Sequence, residues 1–232
     1  QIVDSLFAVA GKHMAVEPLT LDINGRGTVS TFLNLGIPRK SWEFTSLSNE
    51  RDRPSLAIPR AQTIVDALQI FGWRDTRQDA SSSRDEAPNI LQPSIIANGV
   101  VGRRITQLSD DSAFTKMALQ KQNPSALIER LYARVLSRNP TDHELRAMKG
   151  HITPGYMGRI IKDAKPVTLQ ERVVDVSWNN HLSEEANRIK IEIERLVLEG
   201  DQPTSRLKSD WRKRFEDIVY ALINSPEFIF VP

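Results

Sequence analysis

A chain of 232 residues has length for one large domain or two small ones, at roughly 100 to 200 residues per domain. Its 40% hydrophobic and 26% charged residues match ordinary soluble domains, and its lack of cysteine excludes a disulfide framework, thiolate metal sites and cysteine nucleophiles. Thirty-one basic against 29 acidic residues leave a net charge of +2, with 13 of each up to Lys116 and 18 against 16 beyond it, so neither half is a basic arm and no nucleic-acid partner is expected.

Ile2, Val3, Leu6, Phe7 and Ala10 recur at helical spacing and Gly11 follows as a left-handed stop, which predicts a first helix. Leu19, Leu21 and Ile23 alternate ahead of the Asn24-Gly25 turn signal, and a second extended piece is predicted around Trp42, Phe44 and Ser46. The stretch from Gly11 to Pro59 therefore reads as loop-rich, with at most a short β-hairpin in the N-terminal third. Arg60 to Phe71 is helical through Ile64, Val65 and Leu68, with Gly72 as its stop. Asp75 to Pro88 has no apolar period and reads as a solvated loop. One helix is predicted from Pro93 to Ile105, carrying Gly99 and Gly102. Each interior glycine there costs about 0.5 to 1 kcal/mol against alanine and calls for a packing or binding reason.

A short helix follows Asp110 and Asp111. Leu127, Ile128, Leu131, Tyr132, Val135 and Leu136 then form a broad stripe. Asn139-Pro140 breaks it, and Thr141 with Glu144 makes a capping box, so two antiparallel helices are expected. The connection at 153–166 marks a subdomain break within what otherwise reads as one helical domain over 1–232. Leu169 to Trp178 fits either helix or strand. Ser183 caps a helix whose stripe Ala186, Ile189, Ile193, Leu196 and Val197 is expected to be buried, and Leu207 to Leu222 forms the cleanest helix, with Trp211 and Phe215 as core.

The four histidines, His13, His143, His151 and His181, lack metal-ligand spacing and read as surface or capping residues, so no metal and no cofactor is expected. Asp22 to Gly25 starts like a calcium loop, but Arg26 and Leu33 stand where ligands belong. No apolar run reaches membrane-spanning length, so no membrane insertion is expected. The chain opens at Gln1 inside an amphipathic pattern and reads as a piece of a longer protein.

The candidate binding constellation is Arg84, Asn89, Gln92, Asn98, Arg103 and Arg104, beside Trp42 as an aromatic platform. Paired arginines grip carboxylate or phosphate in a bidentate fork, and glycines admit a close ligand. The competing and preferred reading is helix packing by Gly99 and Gly102, with the arginines paired to Asp110 and Asp111. A carboxylate-dependent hydrolase acting on polysaccharide would draw on Glu43 near Trp42, or on Asp85 and Glu86, as acid and base beside an aromatic platform. No nucleophile elbow, Walker loop or dinucleotide fingerprint supports other catalysis, and no catalytic residue is assigned.

Leu131 to Thr141 (LYARVLSRNPT), Asn89 to Pro93 with Asn98-Gly99, and the ending Asp217 to Phe228 together resemble a known family. It is the PSD-type C-terminal domain of unknown function of planctomycete cytochrome-c-associated multidomain proteins. The resemblance runs from about Trp42 to Val231, with the ending as its most specific part. It implies an exported, extracytoplasmic parent with an upstream cytochrome-c-like domain and a second uncharacterised domain, but no reaction.

The expectation is a mostly α, irregular multi-helix bundle acting as a non-catalytic docking module. Its partner would be a neighbouring domain of the same polypeptide or another protein. The alternatives are the polysaccharide hydrolase and an accessory domain that positions a cytochrome-c-like redox domain.

Overall fold

The apolar period of the sequence reappears as helices in the computed structural model, which describes residues 2–14, 16, 19–21, 33–36, 39–41, 59–72, 89–167 and 182–229. Among the described residues the α-helices are α1 (Ile2–Ala10), α2 (Pro59–Ile70), α3 (Leu91–Asn98), α4 (Val100–Thr106), α5 (Ala113–Leu119), α6 (Pro124–Val135), α7 (Asp142–Ile152), α8 (Glu184–Glu199), α9 (Ser209–Ile223) and α10 (Pro226–Ile229). Among the described residues the strands are β1 (Leu19–Leu21) and β2 (Leu33–Gly36), an antiparallel pair with a register shift between Leu19 and Thr20. The fold is a mostly helical bundle, as its periodicity implies.

Helix ends follow local chemistry. Gly11 takes φ 63° after α1, a conformation that favours glycine. Ser112, Asn123, Thr141 and Ser183 each accept a backbone N–H at a helix start, a contact typically worth about 1 kcal/mol. At α7 the capping box is complete, with Thr141 and Glu144 satisfying each other's backbone donors.

The core is built on α9, which packs against α4, α6, α7 and α10. Trp211, Phe215, Ile218, Val219, Leu222 and Ile223 are all buried along it. Trp211 stacks on Phe215 at 5.4 Å between centroids, meets the edge of Tyr156 at 5.8 Å, and donates its indole N–H to the Ile152 carbonyl at 2.8 Å. A single apolar cluster runs from Val3 to Phe228 and holds Ile152, Tyr156 and Leu207, which stand before, within and after the 153–166 connection. Within that connection Ile160 makes an antiparallel bridge with Leu207. The Ile161 N–H reaches the Arg206 carbonyl at 2.9 Å, and the Lys208 N–H reaches the Arg159 carbonyl at 2.8 Å.

Three local expectations need correction. The helix predicted from Pro93 to Ile105 is two helices, because Gly99 turns extended (φ −74°, ψ 165°) and breaks the ladder. The cause is close backbone approach: a Cβ on Gly102 would lie 1.8 Å from the Ile96 carbonyl oxygen. The strand that pairs with β1 is Leu33–Gly36, ahead of the extended piece expected around Trp42, since Leu33 and Leu35 alternate with Asn34 and Gly36. On α8 only Ala186 and Ile193 are buried, because this helix packs mainly on α2 along one narrow side and leaves Leu196 at the surface. The predicted extended piece around Trp42, the loop at 75–88 and the ambiguous stretch 169–178 lie outside the described residues.

Candidate functional site

Trp42 and Arg84 lie outside the described residues, as do Glu43, Asp85 and Glu86. The other five candidates do not converge on one point. Asn89 accepts the Leu91 N–H at 2.9 Å through its side-chain oxygen, and Gln92 donates to the Ile70 carbonyl at 3.3 Å, tying α3 to the end of α2. Asn98 is exposed at the end of α3. Arg103 donates to the Leu198 carbonyl at 2.7 Å, where a cation suits the negative end of α8. Arg104 is buried, lies over the Phe7 ring at 5.5 Å, and pairs with Asp201 at 3.2 Å. The partner expected for these arginines was Asp110 or Asp111. Asp201 takes Arg104 instead, because the α8–α9 connection folds back onto the end of α4.

Lys12 completes this cluster, although the sequence offered no reason to single it out. Its side chain is 0% exposed. The ammonium donates to Asp201 Oδ2 at 2.9 Å, to the Gln107 carbonyl at 3.0 Å, and to the Arg104 carbonyl. Three donors thus meet three acceptors, two of them carbonyls at the C-terminal end of α4. Burial pulls the Lys12 ammonium below its ordinary value, and Asp201 opposes the shift. Burial pushes the Asp201 carboxyl up, but the charges of Lys12 and Arg104 with their hydrogen bonds more than reverse this and leave it low. A lysine with every N–H engaged is a tie between α1, α4 and the α8–α9 connection.

Asp110 anchors the same connection lower down. It accepts from Thr204 Oγ1 at 2.6 Å, from Arg206 Nε at 2.8 Å and from the Val167 N–H at 2.7 Å. Burial raises this carboxyl, and those hydrogen bonds outweigh it and bring it below the ordinary value. Glu216 accepts the Leu108 N–H at 2.9 Å and is held up by burial.

Arg159 is buried, and among the described residues no carboxylate pairs with it. Its guanidinium donates to the carbonyls of Ala118 (2.8 Å) and Gln120 (2.7 Å) at the end of α5, and to that of Tyr156 (3.0 Å) in its own turn. It also lies 3.9 Å from the Tyr156 centroid and 5.4 Å from that of Trp211. Burial lowers its pKa. Tyr156 in turn donates its hydroxyl to the Gln122 carbonyl at 2.8 Å.

Arg138 joins two of the recognisable sequence segments. It donates to both oxygens of Glu144 (2.8 and 2.9 Å) and both of Glu227 (2.7 and 2.8 Å), and lies 5.3 Å from the Tyr132 centroid. The α6–α7 turn is thereby fastened to α10. Hydrogen bonds from Arg138 lower Glu144 to about 2.

His13, His143 and His151 are exposed, and His151 lies 3.3 Å from Asp217. Among the described residues no group of three His, Cys, Asp or Glu side chains is placed to hold a metal ion, and no helix is long and apolar enough to cross a membrane. The only sequence signal that could have exposed these ties is weak: charged residues next to helix ends, with partners far along the chain.

No curated protein and no solved structure matches the chain. A family model does, described as PSD1, protein of unknown function (DUF1553), over residues 1–152. That span starts well before Trp42 and stops before the ending Asp217 to Phe228, so the segment read as most specific lies outside the match. The matched portion contains Leu131 to Thr141 and Asn89 to Pro93, and on it the chain belongs to the PSD1 family of proteins of unknown function.

Proposed function

We propose that the chain is a non-catalytic helical interaction module that docks on a neighbouring domain of the same polypeptide or on another protein. The observation that carries this reading is the outward face of α8. Ile191 and Leu198, one heptad apart, are 64% and 62% exposed, while Ala186 and Ile193 on the other side are buried. A helix fastened by one narrow stripe and apolar on the opposite one supports a second contact. An exported parent and a cytochrome-c-like neighbour belong to this proposal through the family resemblance alone.

The test compares hydrogen exchange of α8 in this chain and in the polypeptide encoded by the complete reading frame. Stronger protection of Ile191 and Leu198 in the longer protein is the expected result. Equal exchange in both would overturn docking of α8 on a neighbouring domain of the same polypeptide.

A further inference from the structure

The geometry points to a second surface, separate from α8, that makes a peripheral contact with an anionic lipid surface. It is centred on the short 3-10 turn Tyr156–Gly158 and the bridged segment that follows. Met157 is 95% exposed there, with Ile160 at 38% and Ile161 at 41%. These side chains stand on a rigid base. The Tyr156 ring is buried beside them, Arg159 is fixed by three carbonyls and two rings, and residues 159–161 are bonded to 206–208.

Around the turn exposed lysines outnumber exposed acids two to one. Lys121 sits between Gln120 and Gln122, whose carbonyls accept from Arg159 and Tyr156. Lys162 follows Ile161, the Lys165 carbonyl accepts from Ser205, and a Cβ on Gly158 would lie 3.5 Å from Lys208 Nζ. All four lysines are exposed, and the exposed acids of these segments are Asp163 and Asp210. Four minus two leaves +2 here, equal to the formal net charge of the whole chain.

Met157 protrudes almost entirely into solvent, so a protein partner would need a matching hollow. A bilayer interface accepts a protruding apolar side chain without one, and lysines beside it add attraction to anionic headgroups. Apolar contact and charge thus act on the same interface, as on interfacial amphipathic segments.

Co-sedimentation of the full chain with phosphatidylcholine vesicles, and with phosphatidylcholine vesicles containing phosphatidylserine, tests this. Binding to the mixed vesicles is expected, weakened roughly tenfold by Met157→Asp and about fivefold for each lysine lost in Lys162→Gln or Lys208→Gln. Thermal melts should show all three variants folded, since the altered side chains are exposed. Three results overturn the proposal: equal binding to both vesicle types, full binding by Met157→Asp, or capture by polyglutamate with no partition into anionic vesicles. The last would assign the patch to an acidic protein.

Discussion

Lys12 and Arg159 are both buried cations, and the fold keeps them by different means. Lys12 shares a carboxylate, Asp201, with Arg104. Arg159 has backbone carbonyls and the faces of Tyr156 and Trp211 instead. A carboxylate takes up a proton in acid and carbonyls do not, so the first arrangement is sensitive to acid and the second is not. The first also spans the chain, joining α1 to the α8–α9 connection, whereas the second caps α5 from a nearby turn.

Removing Asp201 should break the contrast most sharply. Asp201→Ala leaves two cations facing each other without a counter-charge, and a loss of about 3–5 kcal/mol is expected in urea unfolding. Replacing Lys12 and Arg104 by Met and Asp201 by Leu together should recover most of it, because the desolvation cost disappears with the charges. A triple variant as unstable as the single one would show that shape, not charge, dominates. Next, Arg159→Met should cost about 2–3 kcal/mol by stranding the carbonyls of Ala118, Tyr156 and Gln120. Arg159→Lys should restore only part, since a single ammonium cannot span the guanidinium fork or stack on the rings.

Acid titration separates the two centres further. Asp201 and Asp110 are held low in the folded state, so their stabilisation is present above the unfolded carboxylate value of about 3.9 and lost as pH falls through their depressed folded values. Glu216 is held up, so it adds stability as pH drops through its raised folded value and offsets the start of that loss. The urea midpoint should therefore hold or rise slightly before falling steeply in acid, and the fall should be shallower in Asp201→Ala and unchanged in Arg159→Met. The smallest effect is expected from Arg138→Ala, about 1 kcal/mol, because that ion pair network is partly solvated. Its loss should appear as faster exchange in α10.

The sequence made the α6–α7 hairpin legible because its determinants are local: a stripe, a break at Asn139-Pro140, and a capping box spanning Thr141 to Glu144. The role of Gly99 and Gly102 was half legible. Their cost announced close packing, but the period of the flanking residues ran straight through the break. The polar ties were not legible at all. Arg138 meets Glu227 across 89 positions and Lys12 meets Asp201 across 189, separations that leave no spacing to read. Of the proposed binding residues, Asn89, Gln92, Arg103 and Arg104 make hydrogen bonds within the fold, and the aspartate that pairs with Arg104 is Asp201, not the expected Asp110 or Asp111.

The bridge of Ile160 with Leu207 returns the chain to the place it left, and Asp110 pins Val167 just beyond the exit. Residues 160–167 are thus fastened at both ends, so a nick placed between them should leave both flanks seated and Trp211 in place.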